Sequence, residues 1–203
     1  MTLTHQYLSR RAFMGQTAMA AGVVLTALPA QAVPLDQAKQ LVDLLVADVN
    51  AVIASGKDEA GMLRDFETIF ARYADVPTIA RYSLGNDARS ASNAQLQAFT
   101  TAFQRYIANK YGRRFREFIG GEIQVKEARE VPNGVEVETT AILQGQSPFR
   151  VDFQVSDRSG QVLFFNIIIE GINMLLSERT EIQAMLDARG GNLDQLIAEL
   201  PQT

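Results

Sequence analysis

The chain has 203 residues, a formal net charge of −4, no cysteine and a single histidine, His5. Without Cys there is no disulfide, no thiolate nucleophile and no Cys-ligated metal. With His confined to the extreme N-terminus, His-based triads, His-ligated zinc and the usual neutral-pH proton shuttle are excluded beyond it. The acidic balance argues against a nucleic-acid groove and against standing adhesion to anionic lipid surfaces.

Residues Met1–Arg11 carry two arginines and no acid, an apolar run extends from Ala12 to Leu28, and Ala30-Gln31-Ala32 is an A-x-A cleavage pattern. The run is short for a membrane span and is broken by Gly15, Gly22 and Pro29. Ser9-Arg10-Arg11-Ala12-Phe13-Met14 fits the twin-arginine pattern. The alternatives are an ordinary Sec signal with a chance arginine pair, or an uncleaved anchor. The expectation is export with cleavage after Ala32. Removing Arg10 and Arg11 leaves 17 basic residues against the 23 acidic ones, a net charge of −6 over Val33–Thr203. Those 171 residues suffice for one domain with a sizeable core.

Leu35, Ala38, Val42, Leu45, Val49, Val52 and Ile53 recur at helical spacing, which predicts an amphipathic helix over 35–55, ended by Ser55-Gly56. A second helix is expected from Asp58 to Tyr73, with Met62, Phe66, Ile69 and Phe70 on one stripe. A corner at Asp75–Pro77 leads into a short helix that stops at Gly85. Ser92-Asn93-Ala94-Gln95 is a capping box. It opens the longest predicted helix, 93–118, whose Leu96, Phe99, Phe103, Tyr106, Ile107 and Lys110 fall three or four apart. Lys110, Arg113, Arg114 and Arg116 cluster near its C-terminal end, where they complement the helix dipole. Contact with lipid headgroups or an acidic partner is a second possible role.

After Gly120-Gly121 the period changes to two. Ile123 and Val125 alternate with polar residues, and Val131-Pro132-Asn133-Gly134-Val135 is a hairpin signal. Val135, Val137, Thr139, Ala141 and Leu143 share one face of the next strand. Phe149, Val151, Phe153 and Val155 share one face of the strand after it. Glu136, Glu138 and Asp152 fall on the opposite, polar faces, expected to be solvated. The last strand, 162–170, is apolar on both sides apart from Asn166 and is therefore expected to be covered on both. Asn166 reads as a satisfied core amide, or else a polar anchor in a pocket. Glu170 is expected to pair with Arg179. A helix over 173–188, with Met174, Leu175, Ile182 and Met185 inward, and a short helix to Leu200 complete an α+β order: helices, a curved four-stranded antiparallel sheet, helices. No phosphate loop, dinucleotide fingerprint, zinc spacing or nucleophile elbow is present.

Three ordered blocks carry a resemblance: RYADVPTIARYSLG, RSASNAQLQAFTTAFQRYIANKYGRRF and FNIIIEGINMLLSERTEIQAML. They are similar to the MlaC family, the toluene-tolerance auxiliary proteins, over nearly all of Val33–Thr203. Phe70, Tyr73, Val76, Pro77, Ile79, Arg81, Tyr82, Leu84 and Gly85 fit the first block. Phe99, Phe103, Tyr106 and Tyr111 fit the second, and Glu170, Gly171 and Arg179 the third. The family usually has Trp near Val162, often Asp where Asn166 stands and Ser where Asn173 stands, and a twin-arginine signal is not its usual route. The resemblance implies an NTF2-like sheet whose helices enclose a deep apolar pocket for phospholipid acyl chains. It implies a monomeric periplasmic carrier that performs no chemistry and holds lipid as cargo, with no resident cofactor or metal. Its partners would be an inner-membrane ABC lipid transporter complex and an outer-membrane lipoprotein, and some relatives imply a hopanoid or other polycyclic lipid instead.

Face and family position together nominate the pocket walls. From the helices before the sheet they are Tyr82, Phe99, Phe103 and Tyr106. From the sheet they are Val151, Phe153, Phe165, Ile167 and Ile169, and from the helix after it Met174 and Leu175. Acyl chains bind by burial of apolar area and need walls rather than reactive groups. Two other classes compete: an NTF2-like isomerase or hydratase using a pocket Tyr and a carboxylate of raised pKa, and an interaction module with a solid core. The first needs an acid facing the apolar interior, whereas the strand pattern puts the acids on the other face.

Overall fold

The structure, a computed structural model, describes residues 33–112 and 118–202. The predicted signal, Arg113, Arg114, Arg116 and the expected end of the long helix lie outside the described residues. Helix α1 (Leu35–Ile53) buries Ala38, Val42, Leu45, Val46, Val49, Val52 and Ile53: the predicted stripe with Val46 added and without Leu35, which is 40% exposed at the first turn. Helix α2 (Glu59–Tyr73) is capped by Asp58, whose carboxylate accepts from Gly61 N–H at 2.8 Å. Helix α3 (Val76–Leu84) starts on the Asp75 side chain, which accepts from Thr78 N–H, and carries Pro77 in its first turn. It stops at Gly85, where φ is +61°. Helix α4 (Asn93–Gly112) opens with the reciprocal bonds of a capping box: Gln95 N–H donates to Ser92 Oγ, and Ser92 N–H donates to Gln95 Oε1.

Five strands follow as an antiparallel meander in chain order: β1 (Glu122–Val131), β2 (Gly134–Ile142), β3 (Phe149–Ser156), β4 (Leu163–Ile169) and β5 (Ile172–Asn173). The expected count of four is corrected by β5, which pairs Ile172 with Ile169 and Asn173 with Ile168. Glu170 and Gly171 make the two-residue turn, both at positive φ (+49° and +80°). Helix α5 (Met174–Asp187), helix α6 (Leu193–Glu199) and a 3₁₀ turn (Leu200–Gln202) end the described chain.

Register aligns Val137 on β2 with Ala128 on β1 and Phe153 on β3, and Phe153 with Ile167 on β4. That row belongs to the inner face, across which α1 packs. Phe165 is the extra residue of a bulge, since Phe164 pairs with Val155 while Asn166 pairs with Gln154. Two of the stitches that hold the sheet to the helices come from α1 and the α2–α3 corner. Asn50 on α1 meets the edge of β1 through both backbone groups of Ile123, donating to its carbonyl at 3.2 Å and accepting from its N–H at 3.1 Å. An edge strand is thereby covered instead of left open. At the α2–α3 corner, Asp75 N–H donates to Phe164 O at 2.8 Å, and Ala74 bridges Phe164 in parallel.

The outer face differs from expectation. Glu136 and Asp152 are only 5% exposed. Arg129 pairs with Glu136, and Arg150 lies across Asp152 at 2.7 Å and reaches Glu138 at 3.1 Å. Long arginine side chains thus cover acids that alternation alone assigns to water. Burial opposes the Glu136 charge, but hydrogen bonds from Arg129 and Gln154 outweigh it and hold its pKa below the ordinary carboxylate value. Nor does Glu170 pair with Arg179. Its carboxylate accepts from Arg150 N–H, which extends the β3 ladder around the turn, while Arg179 stacks on Tyr82.

Candidate functional site

The apolar interior draws on all six helices and the inner sheet face, and its most aromatic contributor is α4. Phe99, Phe103 and Tyr106 stand at four- and three-residue spacing on α4, so they stack along its inner side. Ring centroids are 5.8 Å apart for Phe99–Phe103 and 6.1 Å for Phe103–Tyr106. On the sheet side of the same core, Phe153 meets Phe164 edge-on at 5.6 Å, and Phe164 meets Phe70 at 6.1 Å. Phe99 and Phe103 are fully buried. Val151 and Phe153 are buried in the same core, and Ile167, Ile169 and Leu175 pack against it half-buried.

Three of the nominated walls lie elsewhere. Tyr82 is 37% exposed on α3, its ring under the Arg179 guanidinium at 5.1 Å. The core side of α3 is instead Val76, Ile79, Ala80, Ser83 and Leu84. Phe165 sits at the β4 bulge and Met174 at the start of α5; both are half-buried and neither joins the core cluster. Met185 is half-buried, and Leu186 takes the fully inward place on α5 beside Ile182. The interior also uses Val135, Val137 and Phe164, which the strand pattern marks as apolar but does not single out.

The interior reaches the surface along α4. Pro77 and Arg81 of α3 face Leu96, Gln97, Phe99 and Thr100 of α4 across a groove of about 310 Å³, and Phe99 forms its floor where it joins the core. That volume lies at the small end for a ligand pocket.

At the other end of the aromatic row lies a polar cluster that pattern alone does not reveal. Glu178 of α5 is 3% exposed. Its Oε1 accepts from Lys110 Nζ at 2.8 Å and from Tyr111 OH. Lys110 Nζ also donates to Glu181 and to Tyr106 OH, and lies 5.3 and 5.4 Å from the Tyr106 and Tyr111 ring centroids. Burial, then the Glu178 charge, pushes the Tyr106 phenol well above its ordinary value; burial, then the Glu178 hydrogen bond, does the same to Tyr111. Burial works against the Lys110 charge, yet the hydrogen bonds to Glu178 and Glu181 raise its pKa. The available sequence signals are Tyr106 and Lys110 four apart on α4, and Glu178 and Glu181 three apart on α5. The Tyr-plus-carboxylate pair an isomerase needs is present here, with Lys110 hydrogen-bonded to both members.

On the outer sheet face, Asn166 is the satisfied amide. It donates to Gln154 Oε1 at 3.0 Å and accepts from Leu175 N–H at 3.0 Å, under the start of α5. Among the described residues no group of His, Asp or Glu is arranged to hold a metal ion.

These features define a class: an α+β module in which helices cover one face of a five-stranded antiparallel sheet, with an aromatic interior. The family model described as MlaC protein matches residues 39–202, so the chain belongs to the MlaC family. Among solved structures, it is similar to the phospholipid-binding protein from Ralstonia solanacearum, determined in complex with a phospholipid. Sequence identity is 20% and the TM-score 0.68, with 81% of this chain and 95% of that chain covered. At that identity the likeness establishes a shared fold.

Proposed function

We propose that this protein is a periplasmic carrier of phospholipid. It would exchange cargo with an inner-membrane ABC-type lipid transporter complex and an outer-membrane lipoprotein, and perform no chemistry. The observation that carries this reading is the apolar interior that the α4 aromatic row shares with the inner sheet face and the other helices, in a MlaC-family chain. The phospholipid held by the similarly folded Ralstonia protein supports it. Removal of the N-terminal 32 residues on export, an NTF2-like kinship of the sheet and a monomeric state belong to the same proposal.

Each CH₂ removed from water contributes about 0.8 kcal/mol, so acyl chains supply a large gross driving force. Ordering the lipid and desolvating its headgroup offset much of it. Phe99, Phe103 and Leu84 are fully buried, so an acyl chain enters only by displacing core side chains and parting the elements that hold them. Binding and opening are one event.

The test is extraction of the purified protein with organic solvent and mass spectrometry of what leaves it. Phospholipid in near-stoichiometric amount is expected, and a hopanoid would redirect the cargo class. A well-folded protein that repeatedly yields no lipid and takes none up would sink the proposal. Phe103→Asp and Phe153→Asp are expected to lose more than 90% of retained lipid, on the order of a charge's cost in an apolar site. Circular dichroism separates that loss from unfolding.

A further inference from the structure

We propose that Lys110, held across to α5 by Glu181 and set against the incompletely satisfied carboxylate of Glu178, is a latch that sets how readily α4 lifts to exchange cargo; this rests on the carrier reading above. Two blocks meet at α4. Helices α3 and α5 are bound to β4: Asp75 N–H donates to Phe164 O, Leu175 N–H donates to Asn166, and Arg179 covers Tyr82. Helix α4 packs on α2 and α3, has no hydrogen bond to the sheet among the described residues, and is hydrogen-bonded through its side chains to the C-terminal segment. Gln95 donates to Asp194 at 2.9 Å and Asn109 to Pro201 O at 3.0 Å. The seam between the blocks has the α3–α4 groove at one end and the Lys110 cluster at the other. Between them run Phe99, Phe103 and Tyr106, the side chains an acyl chain displaces.

The cluster works in two directions. Lys110 closes the seam, reaching from α4 to both Glu178 and Glu181 on α5. Glu178 opposes closure. Its Oε2 is buried and has no hydrogen-bond partner among the described residues, and two carboxylates share one ammonium. A buried charged oxygen left unpaired is costly. Opening lets water reach it, so the closed state carries a penalty that parting the helices relieves. The latch is therefore held without being locked.

The test uses the full chain loaded with pyrene-labelled phosphatidylethanolamine and measures its transfer to phosphatidylcholine vesicles. Lys110→Met removes the closing cation and is expected to speed transfer about tenfold. Glu178→Gln keeps an acceptor for Lys110 and Tyr111 but removes the buried charge, and is expected to slow transfer several-fold. Opposite signs distinguish a latch from a merely structural pair, whose variants lower stability without dividing the rate. Because the chain has no cysteine, Lys110→Cys with Glu181→Cys gives a unique pair for a cleavable bis-maleimide. Cross-linked protein should stop transferring lipid, and reduction of the linker should restore it within the same sample. Equal rates before and after cross-linking, or the same sign for Lys110→Met and Glu178→Gln, would overturn the latch while leaving the carrier intact. A wild-type protein that loads no lipid would overturn both.

Discussion

Asn166 illustrates how much one side chain settles. Four outer-face residues in register form a chain of donors that ends on a single carboxylate. Leu175 N–H donates to Asn166, Asn166 to Gln154, Gln154 to Glu136 at 3.1 Å, and Arg129 closes on Glu136 from the far side. The direction of donation is fixed by Glu136, which only accepts. Asn166→Asp reverses the demand on Gln154: its carboxamide would have to donate both ways. We expect a loss of about 1–3 kcal/mol in urea unfolding. Glu136→Gln in the same background should recover part of it, because the ladder then has a donor to spare. Asn166→Asp at wild-type stability would show that the ladder does not set the orientation of Gln154. The sequence marks Asn166 as the odd polar residue in an apolar run. Its partners come from β3 and α5, which no local pattern names.

At the scale of elements, the sequence is most legible where the determinants are local. Asp58, Asp75 and Ser92 cap the helices their positions announce, and Gly85 ends α3. It is least legible where distant groups decide. Strand β5 is hidden because its turn begins at Glu170, a non-glycine at positive φ, which reads as the last residue of a strand. The carboxylate bond to Arg150 N–H stabilises that conformation. Glu136 and Asp152 fall on the predicted face but not at the predicted exposure, because burial by Arg129 and Arg150 is a cross-strand property. Face and family position together nominate Tyr82 as a wall, yet on α3 it falls one turn from exposed Thr78 and off the side centred on Val76, Ala80 and Ser83. Gly85 joins both lessons. A Cβ there meets Gln183 Nε2 at 2.2 Å and Arg179 at 3.0 Å, so the residue that stops α3 is also the seat for α5. Gly85→Ala should cost roughly 1–3 kcal/mol, chiefly from the positive φ, because the ends of the Gln183 and Arg179 side chains that a Cβ meets can move aside. Gln183→Ala should relieve only the smaller contact part. If Gln183→Ala recovers most of the loss in the double variant, the positive φ is not the chief cause.

Across the whole molecule, the charged groups that hold elements together titrate in opposite directions, which bounds the stable pH range. Glu136 and Glu181 have folded pKa values below their unfolded ones: burial opposes each charge, and hydrogen bonds from Arg129 and Lys110 respectively outweigh it. Their contribution is present above the unfolded value of about 4.3 and is lost as pH falls through the lowered folded value. Tyr106, Tyr111 and Lys110 are shifted upward. The unfolded chain releases those protons first. Their contribution is therefore complete below about pH 10 and is lost as pH rises towards the folded values. The expected profile of Tm is a plateau between about pH 5 and 9.5 with a decline on both sides. The two limbs have different origins in space. The alkaline limb draws on the α4–α5 cluster and on Tyr73, raised by burial and its bond to Asp48, whereas the acid limb also draws on the outer sheet face. Tyr111→Phe removes one titrating phenol from the cluster and leaves Glu136 untouched, so it should make the alkaline limb shallower without moving the limb driven by Glu136. An alkaline limb of unchanged slope in Tyr111→Phe would mean that the loss of stability at high pH begins elsewhere than at the junction of α4 with α5.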